Sequence, residues 1–138
     1  MEIEEVSFEG RRILVTEDNE MNREIAKDIL EEYGFVVEEA DDGTVAVEKV
    51  KDIVERGDAG YYDLILMDVQ MPLMGGYEAT EEIRRITESK GIHIPIIAMT
   101  ANAYEEDRQN AIAAGMDEHI AKPIVLPKLL ETMAKFVK

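Results

Sequence analysis

The chain has 138 residues, 15 of them Lys or Arg and 31 Asp or Glu, and a formal charge of −16. That length suits one domain with a continuous core, the acidity excludes a basic nucleic-acid face, and the absence of Cys excludes a disulfide scaffold, a thiolate metal site and a cysteine nucleophile. No apolar run approaches the roughly 18 residues of a membrane span. The start, Met1-Glu2-Ile3-Glu4-Glu5, is acidic where a secretory leader is basic. A cytoplasmic domain with no membrane insertion of its own is the expectation.

Residues 1–9 read as an acidic tail or linker remnant, and the domain proper as 10–138. Ile13-Leu14-Val15 is a first strand that ends at Glu17-Asp18-Asn19. Residues 19–33 carry Ile25, Ile29, Leu30 and Tyr33 at helical spacing, and Gly34 stops the helix. Phe35-Val36-Val37 is a second strand. Asp41-Asp42-Gly43 then turns into a helix with Val47, Val50, Ile53 and Val54 on one face. Leu64-Ile65-Leu66-Met67 is apolar on both faces, hence a central strand, and runs straight into Asp68. The loop Met71-Pro72-Leu73-Met74-Gly75-Gly76 precedes a helix bearing Ala79, Ile83 and Ile86. Ile94 to Met99 is a fourth strand, ending at Thr100. A helix over about 103–114 is poor in apolar residues and stops at Gly115. A short strand at His119-Ile120 meets Lys122-Pro123, and Leu126, Leu129, Leu130, Met133 and Phe136 pattern the last helix.

Five alternations of strand and helix predict an α/β fold, a parallel sheet covered on both faces. Ligands of such doubly wound sheets sit beyond the carboxyl ends of the strands. The residues there are Glu17 and Asp18, Asp68, Thr100 and Lys122. Three crowded carboxylates repel one another unless a cation neutralises them, and Mg²⁺ takes one or two carboxylates beside phosphate oxygens and water. With a lysine alongside, the set makes a cradle for a phosphoryl group, and a carboxylate is a competent nucleophile at phosphorus.

The stretches Ile13-Leu14-Val15-Thr16-Glu17-Asp18-Asn19, Leu66-Met67-Asp68-Val69-Gln70-Met71-Pro72, Ala98-Met99-Thr100-Ala101-Asn102 and Ala121-Lys122-Pro123 resemble, in order and spacing, the receiver domain of two-component response regulators. An acidic pair or a Lys-Pro alone would carry no weight: Glu17-Asp18 suits any helix start, and lysines are usually solvated. The resemblance implies a flavodoxin-like five-stranded sheet of order 2-1-3-4-5 with helices on both faces. It implies Asp68 as phosphoacceptor, with Mg²⁺ (or Mn²⁺) held by Asp18 and Asp68, by Glu17 mainly through water, and by the backbone carbonyl of Gln70. Lys122 would pair with the phosphoryl group and Thr100 would move to hydrogen-bond it. Gln70 and Asn102 occupy positions that tune dephosphorylation, and the Lys122-Pro123 bond is commonly cis in the family. The implied partners are a histidine kinase core or a histidine phosphotransfer protein, with a weak homodimer as a further expectation. Such a domain is no conventional enzyme, although it catalyses its own phosphorylation and slow dephosphorylation.

Two residues depart from the family pattern. His119 stands where an aromatic Tyr or Phe is usual, either as a plain strand residue or as part of a pH-sensitive switch. Gly75 replaces an Asp or Asn, which predicts a more flexible loop. Glu17-Asp18-Asn19, Gly76-Tyr77-Glu78-Ala79-Thr80 and Met99-Thr100-Ala101-Asn102-Ala103 are most similar to receivers of hybrid sensor histidine kinases; the domain would then be tethered to a membrane sensor. A free-standing regulator is the alternative, and a pseudo-receiver acting by binding alone is a third.

Other classes fit less well. A phosphohydrolase with an aspartyl intermediate needs an acid/base carboxylate two residues after the nucleophile, and Gln70 is there. A nucleotide or flavin module needs a glycine-rich phosphate loop after the first strand, where Thr16-Glu17-Asp18 stands instead. His93 reads as a surface residue. The helix near 103–114 reads either as a solvated surface helix or as a segment loose enough to move on phosphorylation.

Overall fold

The computed structural model describes residues 9–71, 73–101, 104–122 and 125–136. Along them run β1 (Arg12–Thr16), α1 (Glu20–Glu32), β2 (Val36–Ala40), α2 (Gly43–Glu55), β3 (Leu64–Asp68), α3 (Gly76–Glu88), β4 (Ile96–Thr100), α4 (Glu105–Ala114), β5 (Glu118–Ala121) and α5 (Leu126–Ala134). The strands are all parallel, in the order β2-β1-β3-β4-β5. The order reverses between β1 and β3, which opens a crevice at their carboxyl ends.

Alternation along the three central strands splits the core in two. Ile13, Val15, Leu64, Leu66, Ile97 and Met99 pack with α1 and α5, through Ala26, Leu30, Leu129 and Met133. Leu14, Ile65, Met67, Ile96 and Ala98 pack on the other face, against Ala46, Val50, Ile53, Ala79 and Ile83. Side chains buried on both faces explain why these strands read as unbroken apolar runs.

Several boundaries differ from expectation for identifiable reasons. β2 runs three residues past Val37, through Glu38 and Glu39 to Ala40, because it is an edge strand whose carboxylates find partners. Glu39 pairs with Arg23 at 3.2 Å and Lys27 at 3.7 Å, while Glu38 accepts hydrogen bonds from Tyr61 and, at 2.8 Å, Tyr62. β4 starts at Ile96, since Pro95 has no N–H to give the ladder; its carbonyl still accepts from Ile65 N at 2.9 Å. Of the four apolar residues expected to face the core from α1, only Leu30 is buried, Ala26 joins it, and Ile25 and Tyr33 are exposed. On α3, Ile86 is only half-buried, and Arg84 and Thr87 take the buried stripe beside Ile83.

The starts of α1 and α2 follow side-chain caps. The Asn19 side chain accepts from Asn22 N at 3.0 Å, and Asp42 accepts from Thr44 N at 2.6 Å and Val45 N at 3.2 Å. α4 buries only Ala111 and ends at Gly115 with φ 106, the left-handed stop that glycine permits. Among the described residues no helix is long and apolar enough to cross a membrane.

Candidate functional site

Strand parity assembles the site. Positions 13, 15 and 17 share a side of the sheet, as do 64, 66 and 68, and 120 with 122. Glu17, Asp68 and Lys122 therefore leave the carboxyl edge on the same side and meet above the β1/β3 crevice. Lys122 Nζ lies 2.9 Å from Asp68 Oδ2 and 2.9 Å from Glu17 Oε2. Asp18, exposed, completes a trio in which one oxygen from each of Glu17, Asp18 and Asp68 lies within 4.8 Å of the others. These side chains line a cavity of about 310 Å³ together with Gln70, Thr100 and Asp107.

Backbone contacts fix the exit of β3. Val69 N donates to Met99 O at 3.1 Å, Gly76 N to Val69 O at 3.0 Å, and Gly43 N to Met74 O at 3.2 Å. A Cβ at Gly76 would stand 2.2 Å from the Asp68 carbonyl oxygen, so only glycine lets α3 begin directly against this turn. Gly75 is different. Its φ of −73 and ψ of 168 suit any residue, and a Cβ there would meet nothing nearer than Val69 O at 3.4 Å. Gly75 thus adopts a backbone that needs no glycine, and it leaves α3 without a side-chain cap.

The electrostatics reflect burial and crowding. Glu17 is 3% exposed; burial first, and the Asp68 charge after it, push its carboxyl above the ordinary value against the opposing Lys122 and Asn19 N–H. Burial alone would lower Lys122, but hydrogen bonds and charges of Asp68 and Glu17 override it and hold the ammonium above its ordinary range. Asp68 Oδ1 accepts from Gln70 N at 3.2 Å. One lysine cannot neutralise three carboxylates. Hard oxygen donors with an unbalanced negative charge fit a small divalent cation, so the donor set present is compatible with Mg²⁺.

The other expected residues fall as follows. Thr100 lines the cleft, and its hydroxyl reaches Ile120 O at 3.5 Å. His119 is half-buried on β5 with Nδ1 3.5 Å from Glu118 Oε1. His93 is exposed, as expected, yet its Nε2 lies 2.9 Å from Asp117. Asn102 and the Lys122-Pro123 bond lie outside the described residues, as do residues 1–8 of the expected tail.

Sequence reasoning missed two features. Asp107, in the first turn of α4, reaches the cleft; the only hint was an acidic run soon after Thr100. Arg84 is buried and donates from Nε to Gly115 O at 2.8 Å, from Nη1 to Ile94 O at 2.8 Å and from Nη2 to Asp117 at 2.9 Å. It fastens the end of α4 to α3 and the start of β4.

A buried aspartate, two neighbouring acids and a lysine at the switch point of a doubly wound sheet define a class of small α/β domains built round an acidic cleft. The chain belongs to the response regulator receiver domain family, whose model matches residues 13–134. It is 40% identical over 137 residues to Probable histidine kinase 2 of Oryza sativa subsp. indica, covering 94% of this chain and 13% of the kinase. It is 42% identical over 127 residues to the two-component response regulator ORR41 of Oryza sativa subsp. japonica, covering 91% and 93%. Among solved structures it is similar to the receiver domain of the histidine kinase CKI1 from Arabidopsis thaliana complexed with Mg²⁺ and BeF₃⁻, at TM-score 0.82, 36% identity, and coverage of 94% and 91%. It is also similar to a chain of the Saccharomyces cerevisiae complex of the phosphotransfer protein Ypd1 and the receiver domain of Ssk1, at TM-score 0.83, 26% identity, and coverage of 94% and 90%. The chain thus spans about an eighth of the rice kinase and nearly all of the rice regulator.

Proposed function

We propose that this domain accepts a phosphoryl group from a phosphohistidine onto Asp68 and relays it as a conformational signal. The observation that carries this reading is the contact of Lys122 with Asp68 at 2.9 Å beside a trio of carboxylate oxygens within 4.8 Å. In the transfer a carboxylate oxygen of Asp68 forms the new P–O bond as the P–N bond of phosphohistidine breaks. The imidazole leaves and takes up a proton. Lys122 neutralises phosphoryl oxygen charge, and no general base is needed because the attacking carboxylate is already ionised. Glu17, Asp18, Asp68 and the Gln70 carbonyl would hold Mg²⁺, which neutralises the phosphoryl oxygens when bound. The CKI1 receiver, complexed with Mg²⁺ and BeF₃⁻, supports that assignment.

Thr100 then turns from the Ile120 carbonyl toward the phosphoryl oxygens, and His119 on the neighbouring strand shifts with it. Gln70 and Asn102 tune the lifetime of the acyl phosphate. The donor is a kinase core or a histidine phosphotransfer protein, a class present in the Ypd1–Ssk1 complex. A docking surface for it lies beside the cleft. Met21 and Ile25 on α1 are 70% and 51% exposed, and Ile25 lines a cavity of about 440 Å³ whose wall includes Glu17 and Lys122. Exposed apolar groups rimming a polar site mark protein contact.

The resemblance to histidine kinases supports reading the domain as a module of a hybrid sensor kinase, working on the cytoplasmic side with its phosphodonor. The match along 93% of a rice response regulator favours, as a second reading, a free-standing regulator. Incubation with acetyl phosphate or phosphoramidate, with and without Mg²⁺, followed by intact mass, tests the chemistry. A Mg²⁺-dependent phosphoryl adduct is expected in the wild type and none in Asp68→Asn. No adduct from small donors, a phosphorylated kinase or a phosphotransfer protein would leave a pseudo-receiver.

A further inference from the structure

Asp107 adds a fourth carboxylate to the cleft already lined by Glu17, Asp18 and Asp68, against the single cation Lys122. A divalent ion and Lys122 together offset three of the four. Asp107 is the excess, and it has no ion-pair partner among the described residues. Its charge is felt across the gap to α3, where, after burial, it pushes the Tyr77 hydroxyl above its ordinary range. A first-turn acid is ordinary helix chemistry, but Glu105 and Glu106 already supply that. What distinguishes Asp107 from them is that it lines the same cleft as Asp68.

We infer that Asp107 selects the phosphodonor, setting the cleft against small free anions and in favour of a phosphohistidine presented by a docked protein. The inference rests on the phosphoacceptor reading above. Acetyl phosphate is a dianion at neutral pH and must enter past an uncompensated carboxylate. Phosphoramidate is a monoanion and feels about half that repulsion. A protein donor overcomes it with contacts outside the cleft, such as those offered by Met21 and Ile25. In each small-donor reaction Asp68 forms one P–O bond. The P–O bond to acetate breaks in one case, and in the other the P–N bond breaks and ammonia leaves. Asp107 touches none of the reacting atoms, so its effect is on entry and local charge.

The test compares phosphorylation rates with both small donors and Mg²⁺ for wild type, Asp107→Asn, Asp107→Ser and Asp107→Glu, at low and high salt. Both neutral variants should react about three- to tenfold faster with acetyl phosphate and only about two- to threefold faster with phosphoramidate. Asp107→Glu should keep the wild-type ratio of the two donors. The gain should nearly vanish at about 1 M salt, where the screening length is roughly 3 Å. An unchanged donor ratio in both neutral variants, or a gain insensitive to salt, overturns the inference while the adduct itself upholds the phosphoacceptor reading. No wild-type adduct from any donor sinks both.

Discussion

Lys122 is held 2.9 Å from Asp68 although the two lie on opposite sides of β4 in the sheet order. The same ammonium also reaches Glu17, so one cation restrains two buried acids. Breaking a buried pair by removing one partner costs about 3–5 kcal/mol; Lys122 retains some solvent, which brings Lys122→Met below that range, to about 2–3 kcal/mol. Glu17 sets the pH dependence. Its folded carboxyl titrates above its unfolded value of 4.5, so its contribution is present below that value and is lost as pH rises through the folded one. Urea melts of Lys122→Met should therefore fall further behind wild type at pH 8 than at pH 5. Saturating Mg²⁺ should recover more stability in the variant than in wild type; equal recovery would mean that the ion and the lysine do not share the same charge.

Adjacent glycines make opposite predictions. A Cβ at Gly76 would press into the Asp68 carbonyl at 2.2 Å, with the Val69 Cα at 2.9 Å, and neither is a flexible side-chain end that can swing away. Gly76→Ala should cost about 2–3 kcal/mol and slow phosphorylation by displacing the acceptor. Gly75→Asp should be tolerated and supply α3 with its missing cap, for a gain of up to a few tenths of a kcal/mol, since Gly is already a fair cap. Thermal melts of the two variants decide it, and equal destabilisation would refute the distinction.

The fold was legible because β1, β3 and β4 are buried on both faces, and because Gly34 and Gly115 mark the ends of α1 and α4. The site was legible because strand ends alone pick out Glu17, Asp18, Asp68, Thr100 and Lys122. What escaped depends on tertiary partners. Glu38 and Glu39 look like the end of a strand until Tyr61, Tyr62, Arg23 and Lys27 are seen to hold them. Ile25 satisfies helical periodicity yet faces a cavity instead of the core. Arg84 breaks the apolar pattern of α3 because its fork serves two carbonyls and Asp117, a geometry invisible in spacing.

Leu73 is the one non-glycine residue with positive φ among those described, at 65°, and it is 89% exposed. The left-handed region costs a branched apolar residue about 1–2 kcal/mol, and Asn tolerates it. Leu73→Asn loses almost no burial, so it should gain about 0.5–1 kcal/mol in a denaturant melt. An exposed apolar side chain in the loop after Asp68 suits contact with a partner protein. The same variant should slow transfer from a protein phosphodonor. A variant both less stable and unaffected in transfer would contradict this account of the loop.

Glu38 gives the fold its clearest titration signature away from the cleft. Burial would raise its carboxyl, but hydrogen bonds from Tyr61 and Tyr62, with Lys49 and Arg12 nearby, hold it below the ordinary value of 4.5. Its contribution is thus present above the unfolded value and is lost as pH falls through the folded one. Tyr62 shifts the other way. Burial and the Glu38 hydrogen bond raise its hydroxyl above the ordinary 10, so that contribution is complete below the unfolded value and shrinks as pH rises above it toward the folded one. Glu38→Gln should cost about 1.5–3 kcal/mol near neutrality, as for a hydrogen bond to a charged group, and converge toward wild type in acid. Tyr62→Phe leaves one carboxylate oxygen without its phenol and should converge toward wild type at high pH instead. Urea melts from pH 3 to 11 would show the two variants approaching wild type at opposite ends, and parallel curves for both would mean that the Glu38–Tyr62 contact contributes packing alone.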